Sequence, residues 1–156
     1  MPYISTKFYG HEIGLSCCFR QHRADSHCRF LHGYALAIKF EFEAEELDVC
    51  NWVVDFGGLK SLKGILEDNF DHKLIVAEDD PYIDELTGLE AMGLAECVIL
   101  PKAGCEAFAE IIFEVAEQWL LDAGYGTRVH LRSVEVREHG ANSAIFFRAT
   151  SRPDTL

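Results

Sequence analysis

Apolar and polar residues alternate strictly in one part of the first third of the chain. Between residues 35 and 43 every second residue is a large apolar one, namely Leu36, Ile38, Phe40 and Phe42. A period of two predicts a β-strand with one buried face. Before it, residues 3–22 hold short apolar stretches broken by Gly10 and Gly14, which indicates an extended and bulged first strand.

Two later segments have the periodicity of amphipathic helices. Residues 52–56 predict a short extended piece, and Asp55 is placed to cap a helix with the apolar face Leu59, Leu62, Leu66 and Phe70. A second helix is predicted to end near Gly124, with the apolar face Phe108, Ile111, Ile112, Val115, Trp119 and Leu120. The acidic stretch 78–100 predicts an irregular excursion with one short helix.

The end of the chain predicts two more strands. Val134, Val136 and Glu138 share one strand face, and residues 140–143 turn the chain into a last strand at 144–149. The order strand, strand, helix, helix, strand, strand predicts an α+β fold, in which two helices cover one face of a four-stranded antiparallel sheet. The length of 156 residues fits a single domain, 1–156.

The charge balance restricts the kind of partner. The chain has 14 Lys and Arg against 26 Asp and Glu, a net charge of −12. Such a chain repels phosphate backbones, so we expect no nucleic-acid partner. No run approaches the ~18 apolar residues of a membrane helix, and the first residues lack the pattern of an export signal. We therefore expect a cytoplasmic protein whose six cysteines are free thiols.

Residues 20–32 concentrate the candidate chemistry. They hold three histidines, three arginines and one cysteine with a single acid, Asp25. This island of positive charge suits a small anionic ligand such as a phosphate ester, although a solvated loop with scattered charges is an equal alternative. Cys28 is the best candidate for a reactive thiol, because positive neighbours favour a thiolate. Cys105, at a predicted helix start, is a second candidate.

Histidines at this density also suit a divalent metal. His32 and Tyr34 lie two residues apart, on the strand side of the buried Leu36. A buried histidine needs a partner for its ring nitrogens, and either a metal or an ordinary hydrogen bond supplies one. The nearby His22 and His27 keep the metal interpretation open.

Two further positions suit proton transfer and ring recognition. Asp71 and His72 follow the first helix, where a turn allows the carboxylate to orient the imidazole, although helix ends often carry such residues by chance. Glu138 is in phase with Val134 and Val136 and is expected to turn inward, where its carboxylate suits the paired donors of a pterin or purine edge. The alternative is a strand end that reaches water.

Together these pieces resemble the 6-pyruvoyl-tetrahydropterin synthase / 6-carboxytetrahydropterin synthase family. The matching motifs follow in order along the chain: Cys28-x-x-x-His32-Gly33, Val53-Val54-Asp55-Phe56-Gly57-x-Leu59-Lys60, Phe70-Asp71-His72, and Val-x-Val-x-Glu ending at Glu138. Each motif alone is weak, but the ordered set is specific.

The resemblance implies a tunnelling fold of the order ββααββ and a homo-oligomer, typically a hexamer, with active sites between subunits. It also implies Zn2+ and the pterin substrate 7,8-dihydroneopterin triphosphate. The product is then 6-carboxy-5,6,7,8-tetrahydropterin on the route to queuosine. The alternatives are a 6-pyruvoyl-tetrahydropterin synthase or a non-catalytic pterin- or metal-binding paralogue.

The resemblance also implies roles for individual residues. Cys28 matches the catalytic thiol, Asp71 and His72 match the proton-relay pair, and Glu138 matches the carboxylate that grips the pterin ring. Glu106 matches a second substrate-binding carboxylate. His22 and His32 match the first two zinc histidines.

Two departures from the family pattern concern the site. The third zinc histidine is Tyr34 here, so the third ligand is expected to be His27 or Tyr34, with His27 favoured because a neutral imidazole needs no deprotonation. At the start of the second predicted helix, the family's pterin-contacting threonine is replaced by Gly104.

Overall fold

The computed structural model describes residues 1–149, which form seven strands and three helices. The strands are β1 (Tyr3–Tyr9), β2 (Leu15–Phe19), β3 (His32–Ala44), β4 (Lys73–Ala77), β5 (Cys97–Leu100), β6 (His130–His139) and β7 (Asn142–Phe147). The helices are α1 (Lys60–Phe70), α2 (Ile83–Ala91) and α3 (Cys105–Asp122). Short 3-10 turns lie at His11–Ile13, His27–Arg29 and Phe56–Leu59.

The sheet is organised around the 13-residue strand β3. Its first half pairs antiparallel with β2 and its second half pairs antiparallel with β1, so the two short strands follow one another along the same side. The prediction of one bulged strand over residues 3–22 is wrong, because the turn at His11–Ile13, between Gly10 and Gly14, divides this segment into two strands. On its other side β3 pairs with β6, which pairs with β7.

The predicted four-stranded antiparallel sheet is therefore wrong in detail, although the α+β class is confirmed. The full sheet has the order β5-β4-β2-β3-β6-β7, with β1 beside β3, and it is mixed. Strand β4 runs parallel to both β2 and β5. Parallel buried strands are continuous apolar runs without alternation, so the pattern of period two does not detect them.

The segment before α1 also differs from the prediction. Residues 52–56 form no strand, since Val53 and Val54 are buried without ladder pairing. Asp55 is a cap as predicted, but its side chain accepts a 2.8 Å hydrogen bond from the amide of Gly57, so it caps the 3-10 turn that leads into α1.

The core lies between one sheet face and the helices α1 and α3. The buried face of β3 is the one predicted, and it packs against the predicted apolar faces of α1 and α3. The residues concerned are Leu36, Ile38, Phe40 and Phe42 on β3, Leu62, Leu66 and Phe70 on α1, and Phe108, Ile112 and Leu120 on α3. Helix α3 ends as predicted, because Gly124 follows it with a φ of +84°, a left-handed conformation that favours glycine. Helix α2 has no buried residue and lies outside this core.

Gly33 gives a test of the β2–β3 contact. A Cβ on Gly33 would lie far closer to the Cys17 carbonyl oxygen, a backbone atom, than van der Waals contact allows. We expect Gly33→Ala to lower the free energy of unfolding by about 1–3 kcal/mol, since strands must separate to relieve the contact. The control is Gly64→Ala inside α1, where nothing lies within 4 Å, and it is expected to raise stability by about 0.4–1 kcal/mol. Equal stability of the two variants in denaturant unfolding would contradict this account.

Candidate active site

The segment between β2 and β3 carries Cys28 in a short 3-10 turn. The Ser26 hydroxyl accepts a 3.4 Å hydrogen bond from the amide of Cys28 and begins the turn. The amide of Gln21 donates a 2.9 Å hydrogen bond to the Cys28 carbonyl, which ties the two ends of the segment together. Cys28 is half-buried and His27 is exposed.

The positive charge that the sequence concentrates here is largely neutralised. Arg20 donates two 2.7 Å hydrogen bonds to the carboxylate of Asp80, whose side chain is only 2% exposed. These hydrogen bonds hold the pKa of Asp80 below its usual value against the opposing effect of burial, and they raise the pKa of Arg20. Arg23 pairs with Asp79 at 2.7 Å. The predicted island is thus a charge-paired network.

His22 belongs to the same network. Its Nε2 lies 3.7 Å from an oxygen of Asp79, and its Nδ1 lies 4.0 Å from an oxygen of Asp80. His22 also lines a cavity of about 500 Å³ between this segment and the start of α3. Glu106, exposed in the first turn of α3, lines the same cavity, so the structure brings these two predicted site residues together.

His32 and Tyr34 lie on the predicted inner face of β3. Their ring centroids are 5.7 Å apart, and the His32 ring lies 5.1 Å from the buried Phe19 ring. The Nδ1 of His32 is 2.7 Å from the Phe30 carbonyl oxygen, so this nitrogen has an ordinary hydrogen-bond partner. The ring of His139 lies 5.9 Å from that of Tyr34 and extends the aromatic group.

Glu138 lies close enough to Tyr34 for its charge to act on the phenol. It lies at an irregularity in the β6–β7 pairing and is half-buried. Burial raises the pKa of Tyr34, and the negative charges of Glu138 and Cys28 act in the same direction.

Cys105 is a buried thiol, contrary to its expected role as a second reactive cysteine. Its Sγ donates a 3.0 Å hydrogen bond to the Val136 carbonyl. Burial raises the pKa of Cys105 to about 11, and the nearby carboxylate of Glu138 adds to the shift. The position at a helix start does not outweigh these two effects.

Asp71 and His72 form a close pair at the junction of α1 and β4. The Nδ1 of His72 lies 2.6 Å from a carboxylate oxygen of Asp71, and the imidazole is 85% exposed. His72 has a φ of +56°, and its amide donates to the Ser16 carbonyl at 2.7 Å. This anchored backbone turn allows adjacent side chains to face each other.

The pair lies beside the sheet positions Cys18 and Gly33, whereas Cys28 lies in the turn between β2 and β3. His72 lines a shallow pocket with Cys18 and Gly33. The alternation along β2 and β3 places these positions opposite to the face of Phe19 and Tyr34. Within residues 1–149 no hydrogen bond joins Cys28 to Asp71 or His72.

Comparison with known proteins agrees with this fold. A family model described as 6-pyruvoyl tetrahydropterin synthase matches residues 10–149. The chain belongs to the 6-pyruvoyl tetrahydropterin synthase family. An uncharacterized protein of Wolinella succinogenes superimposes with a TM-score of 0.81 at 19% identity, covering 96% of this chain and 99% of that one. The 6-pyruvoyl tetrahydropterin synthase of Plasmodium falciparum gives 0.69 at 15% identity, with the same two coverages.

Curated relatives of the family carry a more specific name. A 6-carboxy-5,6,7,8-tetrahydropterin synthase of Rickettsia bellii is 38% identical over 68 residues, which are 41% of this chain and 49% of the relative. The chain thus spans about half the length of the first relatives it matches. The synthase of the same name from Aquifex aeolicus is 26% identical over 136 residues, 84% of this chain and 82% of the relative.

The family is generally zinc-dependent, but the predicted zinc ligands do not assemble here. His22 faces two carboxylates, His27 is exposed, and the third family position is a tyrosine. Across residues 1–149 no group of three His, Cys, Asp or Glu side chains is arranged to hold a metal ion. The donor set at these positions therefore does not fit the family's metal.

Two features of the site were not found from the sequence. One is the acidic pair Asp79 and Asp80, which the sequence shows only as part of an acidic stretch. The other is Gln21, whose amide nitrogen donates a 2.7 Å hydrogen bond to the Ala103 carbonyl. Gly104 makes room for that amide, and with a φ of +118° it favours glycine. The lost family threonine is thus explained by the backbone and by Gln21.

The buried thiols give a test of these surroundings. Burial raises the pKa of Cys17 to about 12, and that of Cys105 is about 11. Because the thiolate is the nucleophile, we expect neither to react with iodoacetamide at pH 8 while the exposed Cys50 is labelled. At pH values below the pKa of Cys105, its rate of alkylation should rise about tenfold for each unit by which the pH is raised. Peptide mass spectrometry measures each site, and rapid labelling of Cys105 at pH 8 in folded protein would contradict the burial argument.

Proposed function

We propose that this protein is a lyase that converts 7,8-dihydroneopterin triphosphate to 6-carboxy-5,6,7,8-tetrahydropterin, with release of acetaldehyde and triphosphate. The observation that carries the proposal is the Asp71–His72 pair at 2.6 Å, with an exposed imidazole. An imidazole oriented by a carboxylate suits proton transfer near neutral pH. The curated relatives named as 6-carboxy synthases favour this product.

The chemistry assigned to the chain is a sequence of proton transfers. The Cys28 thiolate takes a proton from the substrate side-chain carbon next to the ring. His72, oriented by Asp71, moves the proton of a side-chain hydroxyl, and triphosphate leaves with its oxygen. The electron pair of the broken C–H bond reduces the C6=N5 bond of the ring to the tetrahydro level, and the side-chain carbon next to the ring becomes a carbonyl. One water then adds to this carbonyl, and cleavage of the bond to the next carbon releases the two-carbon end as acetaldehyde and leaves the carboxylate on the ring.

Substrate binding is assigned to carboxylates and one arginine. Glu138 and Glu106 would accept hydrogen bonds from the paired donors of the pterin ring. For the triphosphate, Arg29 is the best candidate of the segment, because Arg20 and Arg23 are paired with acids. Among residues 1–149 the guanidinium of Arg29 bonds only the Asp25 carbonyl and lies over the Phe30 ring, so its charge remains available.

Within residues 1–149 no hydrogen bond joins Cys28 to His72, which supports a site shared between copies of the chain. Strands β1 and β7 are sheet edges, and each carries exposed large apolar side chains: Tyr3, Ile4, Phe8, Ile145 and Phe147. Open edges of this kind invite pairing with another chain. Pairing of these edges between identical subunits closes the sheet and fits a cyclic assembly, with a hexamer expected from the family resemblance.

The family also includes proteins named 6-pyruvoyl tetrahydropterin synthase, which favours a second candidate product. In that case the reaction stops after triphosphate elimination and internal oxidation–reduction, with the three-carbon side chain intact. Mass spectrometry of the products separates the two. Detection of 6-carboxy-5,6,7,8-tetrahydropterin together with acetaldehyde supports the proposed reaction. Detection of 6-pyruvoyltetrahydropterin without acetaldehyde overturns it.

Removal of the thiol tests the role of Cys28. We expect Cys28→Ala to lower kcat by about 10²–10⁴, since this is the usual loss for a positioned proton-transfer group. The control Cys50→Ala changes an exposed thiol outside the site and is expected to keep full activity. Turnover of Cys28→Ala at the wild-type rate would exclude the proposed mechanism.

A lysine introduced on a sheet edge tests whether the active site is shared between subunits. Sedimentation of the wild type is expected to show an oligomer at micromolar concentration, and Ile145→Lys on β7 is expected to shift it toward monomer with loss of activity. The control Leu121→Lys changes an equally exposed residue on α3, away from the edges. A fully active monomer would refute the shared site.

A further inference from the structure

Asp80 is a buried carboxylate that its own backbone holds in place. Its amide donates a 3.0 Å hydrogen bond to the Ala77 carbonyl at the end of β4, and its Oδ1 accepts a 2.9 Å hydrogen bond from the amide of Tyr82. The side chain is 2% exposed, and the ring of Tyr82 lies near the guanidinium that it binds. The carboxylate is thus a fixed point outside the Cys28 segment.

Arg20 links the fixed carboxylate of Asp80 to the Cys28 turn. Its Nε and Nη2 occupy both oxygens of Asp80 at 2.7 Å, and its Nη1 donates a 3.2 Å hydrogen bond to the carbonyl of Arg29. Arg29 directly follows Cys28. A bidentate pair leaves the guanidinium little freedom, so the remaining N–H group has a defined direction.

The same network includes His22, which the family resemblance matches to the first zinc histidine. His22 lies within 4.0 Å of oxygens of both Asp79 and Asp80, and Arg23 balances the charge of Asp79. The cations Arg20 and Arg23 thus face the two carboxylates together with His22. These contacts occupy the segment that a metal would otherwise organise, and the predicted zinc donors do not converge within residues 1–149.

We propose that Asp80 is a positioning residue which fixes the Cys28 turn through Arg20, and that this ion-pair network takes the place of the family's zinc in this chain. The catalytic part of the inference rests on the proposed function, whereas the placement of the thiol and the metal content do not. Asp80 itself touches no substrate atom; it acts through Arg20.

Asp80→Asn is the sharpest variant, because it keeps the size of the side chain and removes the bidentate acceptor. The matched control is Asp84→Asn, which changes an exposed aspartate in the first turn of α2. A displacement of about 1 Å in a reacting group costs on the order of 10²-fold in rate. We expect Asp80→Asn to lower kcat by about 10–100-fold with KM within threefold, and Asp84→Asn to match the wild type.

A second readout follows the thiol without any turnover. Release of the turn exposes the half-buried Cys28, so we expect Asp80→Asn to speed its alkylation by iodoacetamide at least about threefold. The exposed Cys50 of the same molecules is the internal reference and should not change. Alkylation and kcat of Asp80→Asn both within twofold of wild type would overturn the positioning role. If the wild type does not turn over the pterin, the proposed function fails, and the Cys28 alkylation ratio still decides the positioning.

Elemental analysis tests the replacement of zinc. Protein purified from zinc-supplemented culture is expected to contain less than about 0.1 zinc per chain, since catalytic zinc sites need three protein ligands. Treatment with a chelator is expected to leave its Tm unchanged. One zinc per chain that is lost in His22→Ala or His32→Ala would overturn this part of the inference.

Discussion

The long strand β3 is the constraint on which the rest of the structure depends. Its 13 residues pair with β1 and β2 on one side and with β6 on the other, so a single alternation of side chains fixes both the core and the site. Leu36 and Phe40 are fully buried by that alternation, and His32 and Tyr34 follow the same face toward the strand start. A register slip of one residue would reverse both faces at once.

Predictions from the sequence succeed where a structural period is local. The alternation around Phe40 and the helical stripe through Leu66 each depend on side chains facing one core, and both are confirmed. Strand β4 escapes detection because a parallel strand buried on both faces shows no alternation, and the edge strand β5, with four residues, is too short to show a period. The same limit explains residues 52–56, where apolar side chains are buried without belonging to a ladder.

The contacts within the candidate site are likewise predictable from the sequence only where they are local. Asp71 and His72 are neighbours in the chain, so their contact is open to prediction from sequence. The partner of Arg20 is not, because Asp80 lies 60 residues away and reaches it only through the parallel pairing of β2 with β4. That pairing converts an island of positive charge into a neutral network, and it leaves Arg29 as the cation without a carboxylate partner in the described segment.

Under the proposed function, catalytic activity depends on the equilibrium between monomer and oligomer. Within residues 1–149 no hydrogen bond joins His72 to Cys28, and the proposed shared site takes these two groups from different copies of the chain. Contact between two copies is then required for each site, and the active fraction follows the oligomer fraction by mass action. Each subunit keeps its own core between β3, α1 and α3. Activity is therefore lost on dilution before the fold is lost, because dissociation separates the catalytic groups without exposing that core.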